Sequence, residues 1–222
     1  SKSKGNVISP DSIVKEYGAD ALRVYELFMG PFEQAIAWST QGVKGVRRFL
    51  DRIYLLVSEA GQREKSGPEV EKAVHKLNKR VSEDIEKMKF NTAVSAFMEF
   101  INLASENKEG FGKEAAERFL ILLSPFAPHL AEELWEKLGH EEGSIFNEKW
   151  PVFDQALAQE EKINLIVQVN GRVRDKIEVD SGISEEDAKS LALASEKVRK
   201  WMEGKEPKQI IFAKGKLVSI VV

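Results

Sequence analysis

The first residues of the chain have the composition of a loop that handles phosphate. Lys2 and Lys4 alternate with Ser1 and Ser3 and lead into Gly5-Asn6. Flexible ammonium groups among small hydroxyl residues can follow a phosphate that gains charge during reaction. A basic chain end without function has the same composition, so residue types alone leave both readings open. A second basic group follows a helical spacing. Lys44, Arg48 and Arg52 recur every four residues, and Arg47 flanks them. Such a row suits a nucleic-acid backbone, because each neutralised phosphate adds salt-dependent affinity. The other reading is a solvated face with Asp51 as ion partner. A third group, Asn170, Gly171, Arg172, Arg174 and Lys176, sits on one turn and the strand after it. Period two places Arg174 and Lys176 on the same sheet face. Lys214 and Lys216 extend that surface.

Most other chemistries are excluded. The chain has no cysteine, so it carries no disulfide, thiolate nucleophile or CxxC zinc site. His75, His129 and His140 are far apart, and no metal site is expected. His129-Leu-Ala-Glu-Glu lacks the second histidine that would complete a ligand set, so His129 reads as a helix-start or packing residue. There is no G-x-S-x-G, no P-loop and no G-x-G-x-x-G. Trp38, Phe126 and Trp135 read as core anchors.

These groups must be held by elements that the apolar periodicity predicts. Ser9-Pro10-Asp11 starts a helix that stops at Gly18, and Asp20 caps the next, which stops at Gly30-Pro31. Val43, Val46, Leu50, Ile53 and Val57 form one helical stripe opposite the basic row. Val70 to Met88 carries a second stripe, and Asn91 caps a third helix through Ala104. Two more helices follow over 115–123 and 127–138, interrupted by Pro125 and Pro128. After a connector the period changes to two over Ile163–Val169, and Asn170-Gly171 is a hairpin turn. Val173–Val179 returns, Ser184 to Glu203 reads as one helix, and a second hairpin closes the chain. The expected fold is mainly α with a small α+β domain: a helical bundle, then β-β-α-β-β. The expected divisions are 1–30, 31–140, a connector at 141–161, and 162–222. The 222 residues carry 33 basic and 36 acidic side chains, net −3. Residues 162–222 are nonetheless net +3 and the remainder net −6, so the total hides a basic C-terminal unit.

Several runs of residues resemble one family. Ser1-Lys2-Ser3-Lys4-Gly5-Asn6-Val7-Ile8 is similar to the end of the K-M-S-K-S loop of class I aminoacyl-tRNA synthetases, without its first Lys and Met. Pro10-Asp11, Tyr17-Gly18-Ala19-Asp20 and Leu22-Arg23 continue the same signature. Gly30-Pro31-Phe32-Glu33-Gln34, Trp38-Ser39, Gly42-Val43 and Arg48-Phe49-Leu50 resemble the leucyl enzymes. Phe90-Asn91-Thr92-Ala93 and the run Ser124 to Trp135 resemble the anticodon-binding bundle of that subclass. Val167-Gln168-Val169-Asn170-Gly171-Arg172-Val173-Arg174 and Gly215-Lys216-Leu217-Val218 resemble the C-terminal domain of bacterial-type leucyl enzymes. The resemblance runs along essentially the whole chain. It lacks the H-I-G-H signature, the nucleotide-binding half and the editing domain.

The resemblance implies a C-terminal part of a leucine–tRNA ligase. In such an enzyme leucine is activated with ATP and magnesium and passed to tRNA(Leu). Lys2 would stabilise charge as pyrophosphate departs, and Ser1, Ser3 and Lys4 would support the loop. Lys44, Arg47, Arg48 and Arg52 would meet the tRNA backbone. Asn170, Arg172, Arg174, Lys176, Lys214 and Lys216 would approach the outer corner of the tRNA. The chain itself is expected to hold no cofactor, to bind tRNA without aminoacylating, and to be monomeric, cytoplasmic and free of membrane spans. Its other partners would be the catalytic and editing portions of the same enzyme. Because Ser1 is not a methionine and the chain opens inside a polar loop, a fragment boundary is expected. The alternative is a standalone or split-subunit tRNA-binding module.

Overall fold

The structure is a computed structural model that describes residues 8–31, 33–34, 37–60, 63–159, 162–213 and 215–222. Ser1, Lys2, Ser3, Lys4 and Lys214 lie outside the described residues. The chain divides into two compact units, Ser1–Ala158 and Gln159–Val222.

The first unit is helical: α1 Pro10–Tyr17, α2 Ala19–Phe28, α3 Thr40–Ala60, α4 Pro68–Glu86, α5 Phe90–Glu106, α6 Lys113–Leu123 and α7 Pro128–Lys137. Proline opens α1, α4 and α7 at a position where the missing N–H costs nothing. The stripe expected on α3 is buried in full, from Val43 to Val57. It packs into a core that contains Phe97, Phe111, Phe119 and Phe126, all at most 1% exposed. Edge-to-face contacts join Phe97 to Phe119 and Phe126, with centroids 5.8 and 5.1 Å apart. Trp135 is buried as expected and stacks on His140.

Two capping assignments change. Asn91 does not cap α5: the helix begins at Phe90, after Lys89, so Asn91 lies inside its first turn. Asp20 does not cap its own helix either, because Gly18, at φ 92°, ends α1 and precedes α2. Instead the Asp20 carboxylate caps α7, accepting hydrogen bonds from Leu130 N at 2.7 Å and His129 N at 3.4 Å. Residues after α7 are fastened back onto the bundle. Asn78 Nδ2 donates to Pro151 O at 2.9 Å, Arg118 Nη1 donates to Val152 O at 2.7 Å, and Asp154 N donates to His75 Nδ1 at 2.8 Å.

The second unit has β1 Lys162–Val169, β2 Arg172–Asp180, α8 Glu185–Ala194, α9 Glu196–Met202, β3 Gln209–Ala213 and β4 Leu217–Val221. The sheet order is β2-β1-β4-β3, with both hairpins antiparallel and β1 parallel to β4. Leu165, Val167, Val169, Val218 and Ile220 share a core with Ala188, Ala192 and Val198 of the helices. The stretch expected as one helix breaks at Ser195, whose hydroxyl accepts from Val198 N and restarts the helix as α9. Asn170 and Gly171 adopt φ of 50° and 76°, the left-handed pair that a two-residue hairpin turn requires.

Candidate nucleic-acid interface

The basic row on α3 separates into free and engaged cations. Lys44 and Arg48 are exposed, one turn apart, and neither has a partner among the described residues. Arg47 is committed to the fold. Its guanidinium pairs with Asp51 at 2.9 Å and donates to Tyr17 O at 3.2 Å, fastening α1 to α3. Arg52 reaches to α5, donating to Asn102 Oδ1 at 2.9 Å and Ser105 Oγ at 3.4 Å. The sequence places all four on one side of α3, but neighbouring helices reach two of them.

Beside Arg47 lies a cleft of about 590 Å³, lined in part by Tyr17, Arg47, Asp51, Tyr54, His129 and Glu133. Its one guanidinium, Arg47, is paired with Asp51, the carboxylates of Asp20 and Glu133 also line it, and His129 Nδ1 hydrogen-bonds Asp20 at 2.8 Å. It therefore presents no net positive surface to a phosphate. The other histidines are likewise held by carboxylates, His75 by Glu71 at 3.1 Å and His140 by Glu117 at 2.6 Å. Among the described residues, no group of three or more potential ligands could hold a metal ion.

In the second unit the hairpin residues also differ in availability. Asn170 is structural: its N–H donates to Ile220 O at 2.9 Å and its Oδ1 accepts from Val222 N at 3.2 Å. Arg172, Lys176 and Lys216 are exposed, and their side chains have no partner among the described residues. Arg174 and Lys176 do not share a face. The β1–β2 register slips at Arg174, between Lys176 and the turn, so that Val167 pairs with Asp175 but Gln168 pairs with Val173. Arg174 is the extra residue of a β-bulge, and its guanidinium lies over the ring of Trp201 on α9. Lys176 pairs with Ile166 and points to the opposite, helix-free face. Trp201 carries no signal in the sequence, since nothing local links it to residue 174.

Asp175 ties this hairpin to α9. It accepts from Ser195 Oγ at 2.6 Å and pairs with Lys197 at 3.0 Å. The Ser195 hydrogen bond first, and then the Lys197 contact, hold its carboxyl below the ordinary carboxylate range. A carboxyl lowered in the folded state stabilises the unit above its unfolded value of about 3.9, and that stabilisation is lost as pH falls through the folded value. Amide-exchange protection of β1 and β2 is therefore expected to be flat above about pH 5 and to fall in stronger acid. Asp175→Asn should lower protection at neutral pH and flatten the acid response. A wild-type acid response retained in that variant would remove Asp175 from this role.

Comparison with known proteins identifies the class of chain that carries these features. Residues 69–189 match the family model described as the anticodon-binding domain of tRNA ligase. Residues 1–39 match the model for class I tRNA synthetases of the I, L, M and V group. A solved structure from Agrobacterium radiobacter K84, the ternary complex of agnB2 LeuRS with tRNA and LeuAMS, aligns with 100% of this chain. The TM-score is 0.74 and the sequence identity 29%, and the chain spans 31% of that relative's length. No helix among the described residues is long and apolar enough to cross a membrane. With the anticodon-binding model matched over more than half of its residues, the chain belongs to the anticodon-binding domain family of tRNA ligases.

Proposed function

We propose that this chain is the tRNA-binding, C-terminal part of a leucine–tRNA ligase. The observation that carries the reading is that the entire chain aligns with LeuRS in a complex that contains tRNA. The similarity of Ser1-Lys2-Ser3-Lys4 to the K-M-S-K-S loop, within the residues matched to the class I model, supports the same parent enzyme. In that enzyme Lys2 would face the departing pyrophosphate of ATP, with magnesium as its counterion, and Ser1, Ser3 and Lys4 would shape the loop. Alone, the chain would bind tRNA(Leu) as a cytoplasmic monomer without activating leucine.

Binding falls to the cations that the fold leaves unengaged. Lys44 and Arg48 on α3 carry the backbone contact in the first unit, whereas Arg47 and Arg52 serve mainly to join helices. Neutralising two phosphates sets a definite salt response. The double variant Lys44→Gln/Arg48→Gln is expected to weaken tRNA(Leu) binding about tenfold and to make the log–log salt slope shallower by about two. Arg52→Gln should leave that slope unchanged while costing about 1 kcal/mol of stability, through its lost hydrogen bonds. Fluorescence anisotropy over a salt series checks both. Parallel salt lines for wild type and the double variant would exclude Lys44 and Arg48 from the interface. Leucine-dependent ATP–pyrophosphate exchange by the purified chain would overturn its assignment as a non-catalytic part.

A further inference from the structure

The seam between β2 and α9 holds a cation that the fold leaves without a hydrogen bond. The guanidinium of Arg174 lies 3.4 Å from the centroid of the Trp201 ring, at stacking distance. Arg174 Nε is buried without a hydrogen-bond partner, and among the described residues its terminal nitrogens have none either. An unpaired buried donor is a cost to folding, and a surface cation–π contact returns little of it. The adjacent carboxylate does not neutralise it, because Asp175 is held by Ser195 and Lys197. Trp201 is 48% exposed, so the indole does not serve as a core anchor.

The surroundings extend this arrangement. Arg172 pairs with the buried Val169 and so lies on the helix-bearing side of the sheet, as Arg174 does. β2 is an edge strand, so no further strand covers its outer side. Lys200, next to Trp201 on α9, is exposed and without a partner among the described residues. A planar cation fixed on an exposed aromatic ring and flanked by two free cations fits one class of ligand well. It offers a π-face to a base and unpaired donors to a phosphate.

We propose that Arg174 and Trp201 form a shelf for an unpaired nucleotide of RNA. The inference rests on the tRNA-binding reading above and deepens it. The base stacks on the exposed part of the indole beside the guanidinium, and the phosphate meets the terminal nitrogens of Arg174, with Arg172 and Lys200 supplying the surrounding field. The ligand is single-stranded or looped RNA, because bases within a duplex do not expose their faces. An acidic protein surface would match the charge but leave the indole unused. The β-bulge creates the site, since without it the side chain of residue 174 would fall on the helix-free face with Lys176.

The test uses the whole chain with a short single-stranded RNA, and with the same strand in a blunt duplex, over a salt series. Trp201→Leu is expected to weaken single-strand binding about tenfold while leaving the salt slope and duplex binding unchanged. Arg174→Lys, which keeps the charge but loses the planar fork, should weaken it by a similar factor at unchanged slope. Wild-type single-strand affinity in either variant overturns the shelf, as does equal loss for single strand and duplex. Thermal midpoints are measured alongside. If Trp201→Leu lowers its midpoint, Arg174→Lys alone decides the outcome. A wild-type chain that binds neither this RNA nor tRNA(Leu) overturns the broader reading together with the shelf. A wild-type chain that binds while both variants bind equally well overturns the shelf alone.

Discussion

Asp20→Ala is expected to destabilise the helical unit by about 3 kcal/mol and to lower its thermal midpoint by roughly 6–12 °C. The Asp20 side chain is 10% exposed and accepts three hydrogen bonds at the start of α7, from Leu130 N, His129 N and His129 Nδ1. The first N–H groups of a helix have no intrahelical acceptor, and a carboxylate there also meets the positive end of the helix dipole. Alanine leaves those donors without their acceptor. It also detaches α2 from α7, a link that Arg23 reinforces by donating to Pro125 O at 2.9 Å. Asp20→Asn keeps an acceptor oxygen and loses the charge, so about half the effect is expected. Asp51→Ala provides the comparison: its pair with Arg47 is half exposed on both sides and should cost under about 1 kcal/mol. Thermal unfolding followed by circular dichroism distinguishes these variants. An Asp20→Ala midpoint within about 2 °C of wild type would refute the inter-helix cap.

Gly112→Ala should be at least as damaging, at about 3 kcal/mol, for a steric reason. A Cβ at Gly112 would come within 2.5 Å of Lys65 O, 2.6 Å of Lys65 C and 2.9 Å of Ser66 N. These are backbone atoms, which cannot swing aside as a side chain can. They belong to a clasp in which Lys113 N donates to Arg63 O at 2.7 Å, Gly67 N to Gly110 O at 2.7 Å, and Gly112 N to Ser66 Oγ at 3.1 Å. The clasp sets the start of α6 against the segment leading into α4, so opening it disturbs both helices. Gly143→Ala, where an added Cβ meets nothing within 4 Å, is expected to be neutral. Equal midpoints for the two alanine variants would show that the clasp yields without cost.

Much of the fold was legible because it depends on local periodicity. The α3 stripe from Val43 to Val57 is buried as its spacing requires, and the alternation over Ile163–Val169 becomes β1. Asn170-Gly171 forms its turn because few other residue pairs tolerate positive φ at both positions. Two expectations fail, one for a long-range reason and one for a local reason. Asp20 suits the start of its own helix by position but serves one that begins 108 positions later, at Pro128. The stretch expected as one helix over 184–203 is divided because the Ser195 hydroxyl competes for the backbone and restarts the turn.

The candidate interface divides in the same way. Cations are abundant where the residues alone put them: the row on α3, the hairpin after Asn170, and a C-terminal unit of net positive charge in an acidic chain. The sequence also carried the motif order that resembles class I synthetases. Which cations remain free depends on how distant elements pack. Arg47 and Arg52 match Lys44 and Arg48 in charge and helix position, yet Tyr17 O, Asn102 and Ser105 lie within reach of the first two alone. Period two puts Arg174 with Lys176, but one extra residue in the β1–β2 ladder sends it to Trp201 instead. The difference is one of range. Periodicity reports how a residue faces its own element, whereas the partner of a charge depends on which distant element packs there and in what register.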